Sequence, residues 1–284
     1  MDDPPGSDAL SDTGPALIPD GLDATIVLVR HGESVLIAQG RFQGQLDSPL
    51  SAIGRRQAAL AGLRLARPHQ APALPVPAGA LLEIIHSPLQ RTTQTADAIV
   101  AARAAGTEVA PVRPMRPDPG FLEIGQGAWE GLLATEVREH HGEALAAWRR
   151  LPLEAWAPGG ESLPSVAERV RPALRRLLEP LADGRPAGTH DRPQVAGYRD
   201  PLPNHPWSIV VAHEGVFKIS LLTLFDLPLE RFWMWPMDLC GITVVELRAG
   251  RPVLRAHNLT AHLASMLDGE AQAEVEDRSR TGAL

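Results

Sequence analysis

The sequence predicts an α/β fold, and three observations support that prediction. Residues 25–29 (TIVLV) form an apolar run without polar alternation, which is typical of a central strand buried on both faces. A second run of this kind lies at residues 208–213. From the first run onward, the order of strand, polar turn and helix occurs twice in succession. A chain of 284 residues is also long enough to bury about 75% of its extended surface in a full core.

The first strand and helix unit covers residues 25–66. Its strand leads Arg30 and His31 into a turn at Gly32. A polar loop follows over residues 41–49, and Ser51 is suited to cap a helix that ends near residue 66. Ligands of open α/β sheets bind in the crevice at the carboxyl ends of the strands. We therefore expect the functional site to begin at His31.

The second unit has a strand over residues 82–86 and a helix that ends near residue 104. Residues 109–163 contain short amphipathic pieces around Trp129, Trp148 and Trp156, so we expect a helical cap over the site. The next helix starts near Ser162 and carries an apolar stripe at steps of four and three. Pro172 lies inside this helix and is expected to kink or split it.

Residues 183–206 are rich in Pro, Gly and Asp and lack periodicity, which predicts a loop insertion. A helix over residues 214–225 and two paired strands over 241–247 and 252–257 follow the second apolar run. Together these elements predict one domain over residues 23–267. We expect residues 1–22 to be a disordered acidic tail and residues 268–284 to be a flexible tail.

Composition and charge limit the classes of function. The formal net charge of −7 argues against a nucleic-acid binder or a membrane-surface protein, because both need a basic surface. Cys240 is the only cysteine, which excludes an internal disulfide and a cysteine-based metal cluster. The pairs His140–His141 and His257–His262 have spacings that do not suit a metal site, so no metal or other cofactor is expected. With no signal peptide or membrane span predicted, we expect a cytoplasmic location.

The residue types near His31 suit phosphoryl transfer. A neutral imidazole can attack phosphorus and carry the phosphoryl group as phosphohistidine. Arginines bind a phosphate dianion through planar donor forks, and Arg30 and Arg91 are candidates for this role, with His213 as a third donor.

A carboxyl group is also needed, because the leaving oxygen takes up a proton and the attacking water later gives one back. Glu123 is the best placed carboxylate and Glu130 the second. Sequence spacing alone does not choose between them.

Seven separated blocks of the sequence resemble the histidine phosphatase superfamily. In the order of that family they are residues 28–34 (LVRHGES), 41–44 (RFQG), 87–91 (SPLQR) with Thr95 and Ala96, 122–124 (LEI) with 129–131 (WEG), 158–162 (PGGES), 210–213 (VVAH), and Asn258 with His262 and Leu263. The resemblance spans residues 24–265. It is specific because all seven blocks agree, whereas any one of them would be weak.

The resemblance implies a three-layer α/β/α fold of the phosphoglycerate mutase type, with a mixed, mainly parallel sheet. It implies that His31 is the nucleophile and Glu123 the proton donor. The residues implied to form or border the phosphate pocket are Arg30, Arg91, His213, Arg41, Gln43 and, through its backbone N–H, Glu214.

The LEI and WEG blocks resemble the phosphatase branch, including α-ribazole phosphatase-like and broad-specificity enzymes, because the Glu-Arg-His-Tyr-Gly block of the mutases is absent. The leading hypothesis is a metal-independent phosphomonoester hydrolase that acts on a small phosphorylated metabolite. One alternative is a phosphoglycerate mutase-type phosphotransferase. Another is a degenerate member that binds a phospho-ligand or a protein without turnover. Ile37, where many members have Asn, and Glu214, where Gly is common, motivate the last alternative.

The expected partner is a small phosphorylated substrate, and neither nucleic acid nor a membrane is expected. A homodimer stays open, because residues 233–237 (WMWPM) are apolar enough for an interface. A buried flank of a helix explains the same stretch equally well.

Overall fold

The computed structural model describes residues 16–105, 115–183 and 205–266. Its strands and helices in chain order are β1 (Ala24–Arg30), α1 (Val35–Ala38), α2 (Ala52–Ala66), β2 (Leu81–His86), α3 (Gln90–Ala104), β3 (Arg116–Pro117), α4 (Ala134–His140), α5 (Gly142–Arg150), α6 (Leu163–Asp183), β4 (Trp207–Ala212), α7 (Glu214–Leu224), β5 (Ile242–Arg248) and β6 (Arg251–Leu259). Each predicted strand and helix outside the cap is therefore confirmed, with ends that shift by a few residues.

The six described strands form one sheet in the order β3-β2-β4-β1-β5-β6. Strands β3, β2, β4 and β1 are parallel to one another, whereas β5 runs antiparallel to β1 and β6 antiparallel to β5. The sheet is thus mixed and mainly parallel, which confirms the predicted fold class. Parallel neighbours end at the same edge of a sheet, so the residues that follow β1, β2 and β4 come together there.

Strand β1 is buried on both faces, as its apolar run predicts. Ile26 and Leu28 belong to a core that also includes side chains of α6 and α7. Val27 and Val29 face the opposite side and pack with residues of α2 and α3. Because alternate residues of a strand point to opposite faces, one continuous apolar run supplies both cores. Two helices on each face of the sheet make the three layers.

Helix α6 is continuous over 21 residues and contains both Pro172 and Pro180. The sequence predicts that Pro172 kinks or splits this helix; the split is wrong, and the kink stays a prediction. A proline inside a helix costs about 3 kcal/mol, and the apolar stripe of α6 is buried along its length. Burial of each Leu or Val side chain contributes about 1.5–3 kcal/mol, so packing outweighs the proline. No helix within the described ranges is both long and apolar enough to cross a membrane.

Two predicted boundaries differ from the structure. Leu17 and Leu22 are buried in the core beside β1, so the packed domain begins before residue 23 and the predicted tail ends too late. Arg116 and Pro117 lie within the predicted cap but pair with β2 as the edge strand β3. Most of the predicted loop insertion, the start of the predicted cap and the predicted C-terminal tail lie outside the described residues.

The apolar stretch at residues 233–237 is partly buried and partly exposed. Met237 is buried, whereas Trp233 and Met234 are 38% and 47% exposed. Trp233 packs edge-on against Trp148 of α5. The buried-flank explanation therefore holds for Met237, and the exposed residues leave the homodimer a prediction.

Candidate functional site

The adjacent strands β1 and β4 bring His31 and His213 together. The two strands are parallel, with Arg30 opposite Ala212, so the next residue of each strand comes to the same point. The two imidazole rings lie edge-on with centroids 5.0 Å apart, and His31 and His213 are 1% and 0% exposed. The turn after His31 packs tightly on α2, since a Cβ on Gly32 would lie 2.5 Å from the carbonyl oxygen of Gly54. Glycine at this position therefore lets the turn form.

The surroundings of His31 select one neutral tautomer of its ring. Nδ1 lies 2.7 Å from the carbonyl oxygen of Gly32, which can only accept a hydrogen bond, so Nδ1 carries the proton. Nε2 then keeps its lone pair. Burial, together with the charges of Arg91 and Arg30, lowers the pKa of His31 well below 6.5. The ring is thus neutral at neutral pH and is nucleophilic at Nε2.

Arg91 lies at the first turn of α3 and is 0% exposed. Its Nη2 and Nη1 donate to the carbonyl oxygens of Gly44 and Leu46, at 2.7 and 3.0 Å. Its Nε donates to Nδ1 of His213 at 3.2 Å. Burial lowers its pKa to about 10, so the guanidinium stays charged at neutral pH. The result is a buried cation that contacts His213 directly.

His213 bridges two residues of the second strand and helix unit. Because Nδ1 accepts a hydrogen bond from Arg91, the ring proton lies on Nε2 and donates to Oγ of Ser87 at 2.9 Å. Burial and the charge of Arg91 lower the pKa of His213 well below 6.5. His213 is therefore a neutral hydrogen-bonding group, and both of its nitrogens have partners within the protein.

Arg30 lies at the end of β1 and contacts α7. Its Nη1 is 2.6 Å from Oε2 of Glu214, and it also donates to the carbonyl oxygen of Met237 at 2.5 Å. The other carboxylate oxygen of Glu214 accepts from Nζ of Lys218 at 2.6 Å. The carboxylate of Glu214 thus bridges two cations. The family resemblance showed that Glu214 is unusual at this position, but it could not predict the direction of its side chain.

Glu123 lies against the start of α7, directly after His213. Its carboxylate accepts hydrogen bonds from the backbone N–H groups of Gly215 and Val216, at 3.2 and 3.1 Å, and from Ile124 at 2.9 Å. A Cβ on Gly215 would lie 2.6 Å from Oε1 of Glu123, so glycine allows this approach. The free N–H groups of a helix start favour a carboxylate, which fixes Glu123 beside the histidine pair.

A pair of charged residues holds the segment that carries Glu123. Arg169 of α6 donates to the carbonyl oxygens of Gly120, Leu122 and Glu123, at 3.1, 2.8 and 2.8 Å. It also pairs with both carboxylate oxygens of Glu161, and Glu161 accepts from the backbone N–H of Gly125 at 2.8 Å. We refer to Glu161 and Arg169 as the acid-loop clamp.

Sequence reasoning missed the acid-loop clamp. It used residues 158–162 as one block of the family resemblance and gave Glu161 no role. The sequence signal that could have shown the clamp is a pair of opposite charges near the start of α6. Glu161 lies just before the helix and Arg169 lies eight residues later, inside it. Their hydrogen-bond partners in residues 120–125 are 36 to 49 residues away in sequence, and no local pattern marks them.

The other predicted site residues have contacts in the loops around the histidine pair. Oε1 of Glu130 accepts from the backbone N–H groups of Gln45 and Gln126, both at 2.9 Å, so this carboxylate joins two loops. Arg41 donates to the carbonyl oxygen of Gly131 at 2.6 Å and is about one third exposed. Gln43 is buried, and its Oε1 accepts from Ser34 at 2.7 Å. The guanidinium of Arg41 thus lies toward residues 131–136 rather than toward His31.

No group of three His, Cys, Asp or Glu side chains among the described residues is arranged to hold a metal ion. The candidate donors around His31 are the guanidinium groups of Arg30 and Arg91 and the Nε2–H of His213. Such donors suit an anion with several oxygens, of which phosphate is the common biological example.

Comparison with known proteins agrees with the geometry. The family model of the histidine phosphatase superfamily (branch 1) matches residues 26–187 and 195–260. Phosphoserine phosphatase 1 of Hydrogenobacter thermophilus is 30% identical over 242 residues, which are 84% of this chain and 93% of that protein. Glucosyl-3-phosphoglycerate phosphatase of Mycolicibacterium vanbaalenii is 33% identical over 213 residues, covering 75% of this chain and 77% of that protein.

A solved structure of a mycobacterial glucosyl-3-phosphoglycerate phosphatase with VO3 superposes with a TM-score of 0.63 at 27% identity, covering 83% of this chain and 99% of that one. The fold is therefore shared over nearly the whole length of that enzyme. Since the family model also matches well over half of the sequence, from β1 to β6, this chain is a member of the histidine phosphatase superfamily, branch 1.

Proposed function

We propose that this protein is a metal-independent phosphomonoester hydrolase that works through a phosphohistidine at His31. The observation that carries the proposal is the state of His31, a neutral ring with its lone pair on Nε2 beside the cations Arg30 and Arg91. A nucleophile of this kind needs no base to remove a proton, and fixed guanidinium groups can balance the charge of the transferred phosphoryl group.

The reaction has two steps in this proposal. In the first, Nε2 of His31 forms a bond to phosphorus while the bond from phosphorus to the leaving oxygen breaks. Glu123, in its protonated form, gives the leaving oxygen its proton. In the second, the Glu123 carboxylate takes a proton from water as the water oxygen attacks phosphorus. The P–N bond breaks and its electron pair returns to Nε2, which regenerates the enzyme and releases phosphate.

Arg91 and Arg30 are proposed to bind the phosphoryl oxygens, and His213 to hold Arg91 and to donate from Nε2. In the described structure that donor is used by Ser87, so binding of a phosphate oxygen exchanges one hydrogen bond for another. Glu123 is preferred to Glu130 as the acid. Its carboxylate lies at the start of α7 next to His213, whereas Glu130 joins two loops. Gln43, Arg41 and the N–H of Glu214 are proposed to border the bound phosphate.

The proposed substrate class is a small phosphorylated metabolite. The relatives named above are phosphatases of phosphoserine and of glucosyl-3-phosphoglycerate, which are both small phosphate monoesters. Their substrates differ in size and charge, so the class rather than one compound follows from them. Substrate choice is proposed to depend on the cap, whose described part includes α4 and α5.

Phosphate release from an aryl phosphate in the presence of EDTA tests the proposal. Native protein is expected to retain turnover after chelation, and His31→Ala is expected to lose it. His69→Ala, an exposed histidine of the connection after α2, is the matched control and is expected to keep native turnover. A phosphoryl group that is acid-labile and base-stable, trapped on native protein and absent from His31→Ala, would support the intermediate.

Three results would contradict the proposal. Activity that EDTA removes would mean that a metal ion takes part in the reaction. Exchange of phosphoryl groups between phosphoglycerates that exceeds phosphate release would instead identify a mutase. Phosphate binding without any turnover would favour the non-catalytic alternative.

A further inference from the structure

The carboxylate of Glu214 lies between two cations at the edge of the proposed phosphate site. Its Oε2 is 2.6 Å from Nη1 of Arg30, and its Oε1 is 2.6 Å from Nζ of Lys218. The side chains of Glu214 and Arg30 are only 13% and 12% exposed, so solvent screens their interaction weakly. Glu214 therefore links Arg30 to Lys218, which has no role in the proposed reaction.

Lys218 is the only lysine of the chain and is nearly buried, with 4% of its side chain exposed. Its Nζ lies 5.2 Å from the ring centroid of Phe232 and 4.8 Å from that of Trp233. A buried ammonium group is costly unless it is paired, and aromatic faces compensate only part of the cost. Glu214 is the anion that pairs with it. The Lys218 site is thus a fixed positive charge one helical turn from Glu214.

Glu214 also changes the charge that a phosphate would meet. Arg30 and Arg91 supply two positive charges near His31, and the neutral histidines supply none. Glu214 neutralises Arg30 directly, so a phosphate dianion that binds Arg30 must compete with a carboxylate already in contact with it. That carboxylate would then lie close to the dianion, and like charges at such distances repel.

We propose that Glu214 and Lys218 together set the affinity of the site for phosphate, and that Glu214 holds Arg30 in the empty site and keeps only its contact with Lys218 when a phosphate takes Arg30. This inference rests on the proposed function, because it assumes that Arg30 binds the substrate phosphate. Glu214 weakens binding of substrate phosphate and of the product, inorganic phosphate. Lys218 limits that effect by pairing with the displaced carboxylate. Glu214 is a positioning residue in this view, since it acts through Arg30.

A purely structural role makes a different prediction. Glu214 and Lys218 are an i, i+4 pair on α7, and such pairs stabilise helices. If stability of α7 were their only role, removing either partner would lower thermal stability and change phosphate affinity in the same direction. The proposal instead requires opposite changes in affinity.

The test measures the Kd of inorganic phosphate by calorimetry, which needs no turnover. Glu214→Gln is expected to bind phosphate about tenfold more tightly, because a carboxylate in contact with Arg30 is lost. Lys218→Met is expected to bind about tenfold more weakly, since Glu214 then has Arg30 as its remaining partner. The double variant removes one charge of each sign and is expected within about threefold of native affinity. Lys218→Arg retains the charge and is expected to lie closer to native affinity than Lys218→Met, and His69→Ala serves as the control with native affinity expected.

Kinetics with an aryl phosphate give a second readout. Glu214→Gln is expected to lower KM and to strengthen inhibition by the product phosphate, and Lys218→Met to raise KM. Melting temperatures of all variants show whether each is folded, and Glu214→Gln, which preserves shape, tests the proposal even where Lys218→Met fails to fold. Unchanged or weaker phosphate binding by Glu214→Gln would overturn the inference, as would changes in the same direction for both single variants.

The outcomes separate this inference from the proposed function. Native turnover that depends on His31, together with phosphate affinities that do not move in opposite directions, would overturn only the role of Glu214 and Lys218. A native protein that neither binds phosphate nor hydrolyses the aryl ester would overturn the proposed function and the inference with it.

Discussion

Substitution of Arg169 by Met tests how the acid-loop clamp acts on Glu123. Arg169→Met keeps most of the apolar stem and removes five hydrogen bonds, three to the carbonyl oxygens of residues 120, 122 and 123 and two to Glu161. Water can replace part of this set because the side chain is 21% exposed. A loss of about 2–4 kcal/mol in the free energy of unfolding is therefore expected.

The expected effect on catalysis depends on the leaving group. Displacing a catalytic group by 1 Å costs about a hundredfold in rate, so kcat/KM for an alkyl phosphate is expected to fall by about 10- to 100-fold. An alkoxide needs the proton from Glu123 as it leaves, whereas nitrophenolate leaves without one. For p-nitrophenyl phosphate a fall of no more than about threefold is expected.

The assay compares kcat/KM for the two esters, because this ratio reports the steps up to departure of the leaving group. Measurements are made well below the melting temperature of Arg169→Met, so that loss of folded protein does not contribute. Arg150→Met, at an exposed position at the end of α5, is the matched control and is expected to resemble the native protein with both esters. Equal losses for the alkyl and aryl esters would refute the reasoning, because they would show that Arg169 affects phosphate binding rather than the acid.

Four further predictions follow from particular residues. Glu123→Gln is expected to lower kcat/KM for an alkyl phosphate by about 10²–10⁴-fold, and Glu130→Gln by less than about tenfold; a larger loss for Glu130→Gln would assign the acid role to Glu130. Because the pKa of His31 lies well below 6.5, kcat/KM corrected for ionisation of the substrate is expected to stay level as the pH falls through 6.5, and an apparent pKa near 6.5 for the nucleophile would contradict this. Burial lowers the pKa of His205 to about 4, so the unfolded chain takes up a proton before the folded one, and stability present above pH 6.5 is lost as the pH falls. At about pH 5 the contribution of His205 to this loss is about 2 kcal/mol, so urea unfolding should find the loss smaller by that amount in His205→Gln than in native protein. Leu174→Ala, at a fully buried position of α6, is expected to cost about 2–5 kcal/mol in the same assay.

Much of the fold could be predicted because its signals are local. The apolar run of β1, the cap residue Ser51 and the stripe on α6 each follow from neighbouring residues whose periodicity matches a strand or a helix. The predictions that failed concern residues at which tertiary packing outweighs the local conformational preference of the sequence. Pro172 is tolerated because α6 is buried along its length, and Leu17 packs on the core although its neighbours resemble a disordered tail.

The site shows the same division. The nucleophile His31 and its partners Arg91 and His213 could be proposed from residue types and from the positions at which strands end. The choice of Glu123 over Glu130 could not, since it depends on which carboxylate meets the start of α7. That contact joins residues about ninety positions apart in the sequence.

The sequence by itself therefore determined the α/β class and the sheet edge at which the candidate site lies, and it supports the proposal of phosphoryl chemistry at His31, because strand periodicity and side-chain chemistry are properties of short segments. Only the tertiary structure decided the tautomer of His31, the inward direction of Glu214 and the clamp on Glu123. Those features depend on hydrogen bonds and charges between segments that are distant in sequence and meet only after the sheet has formed. Loop geometry and burial set their partners, and neither is encoded in spacing along the chain.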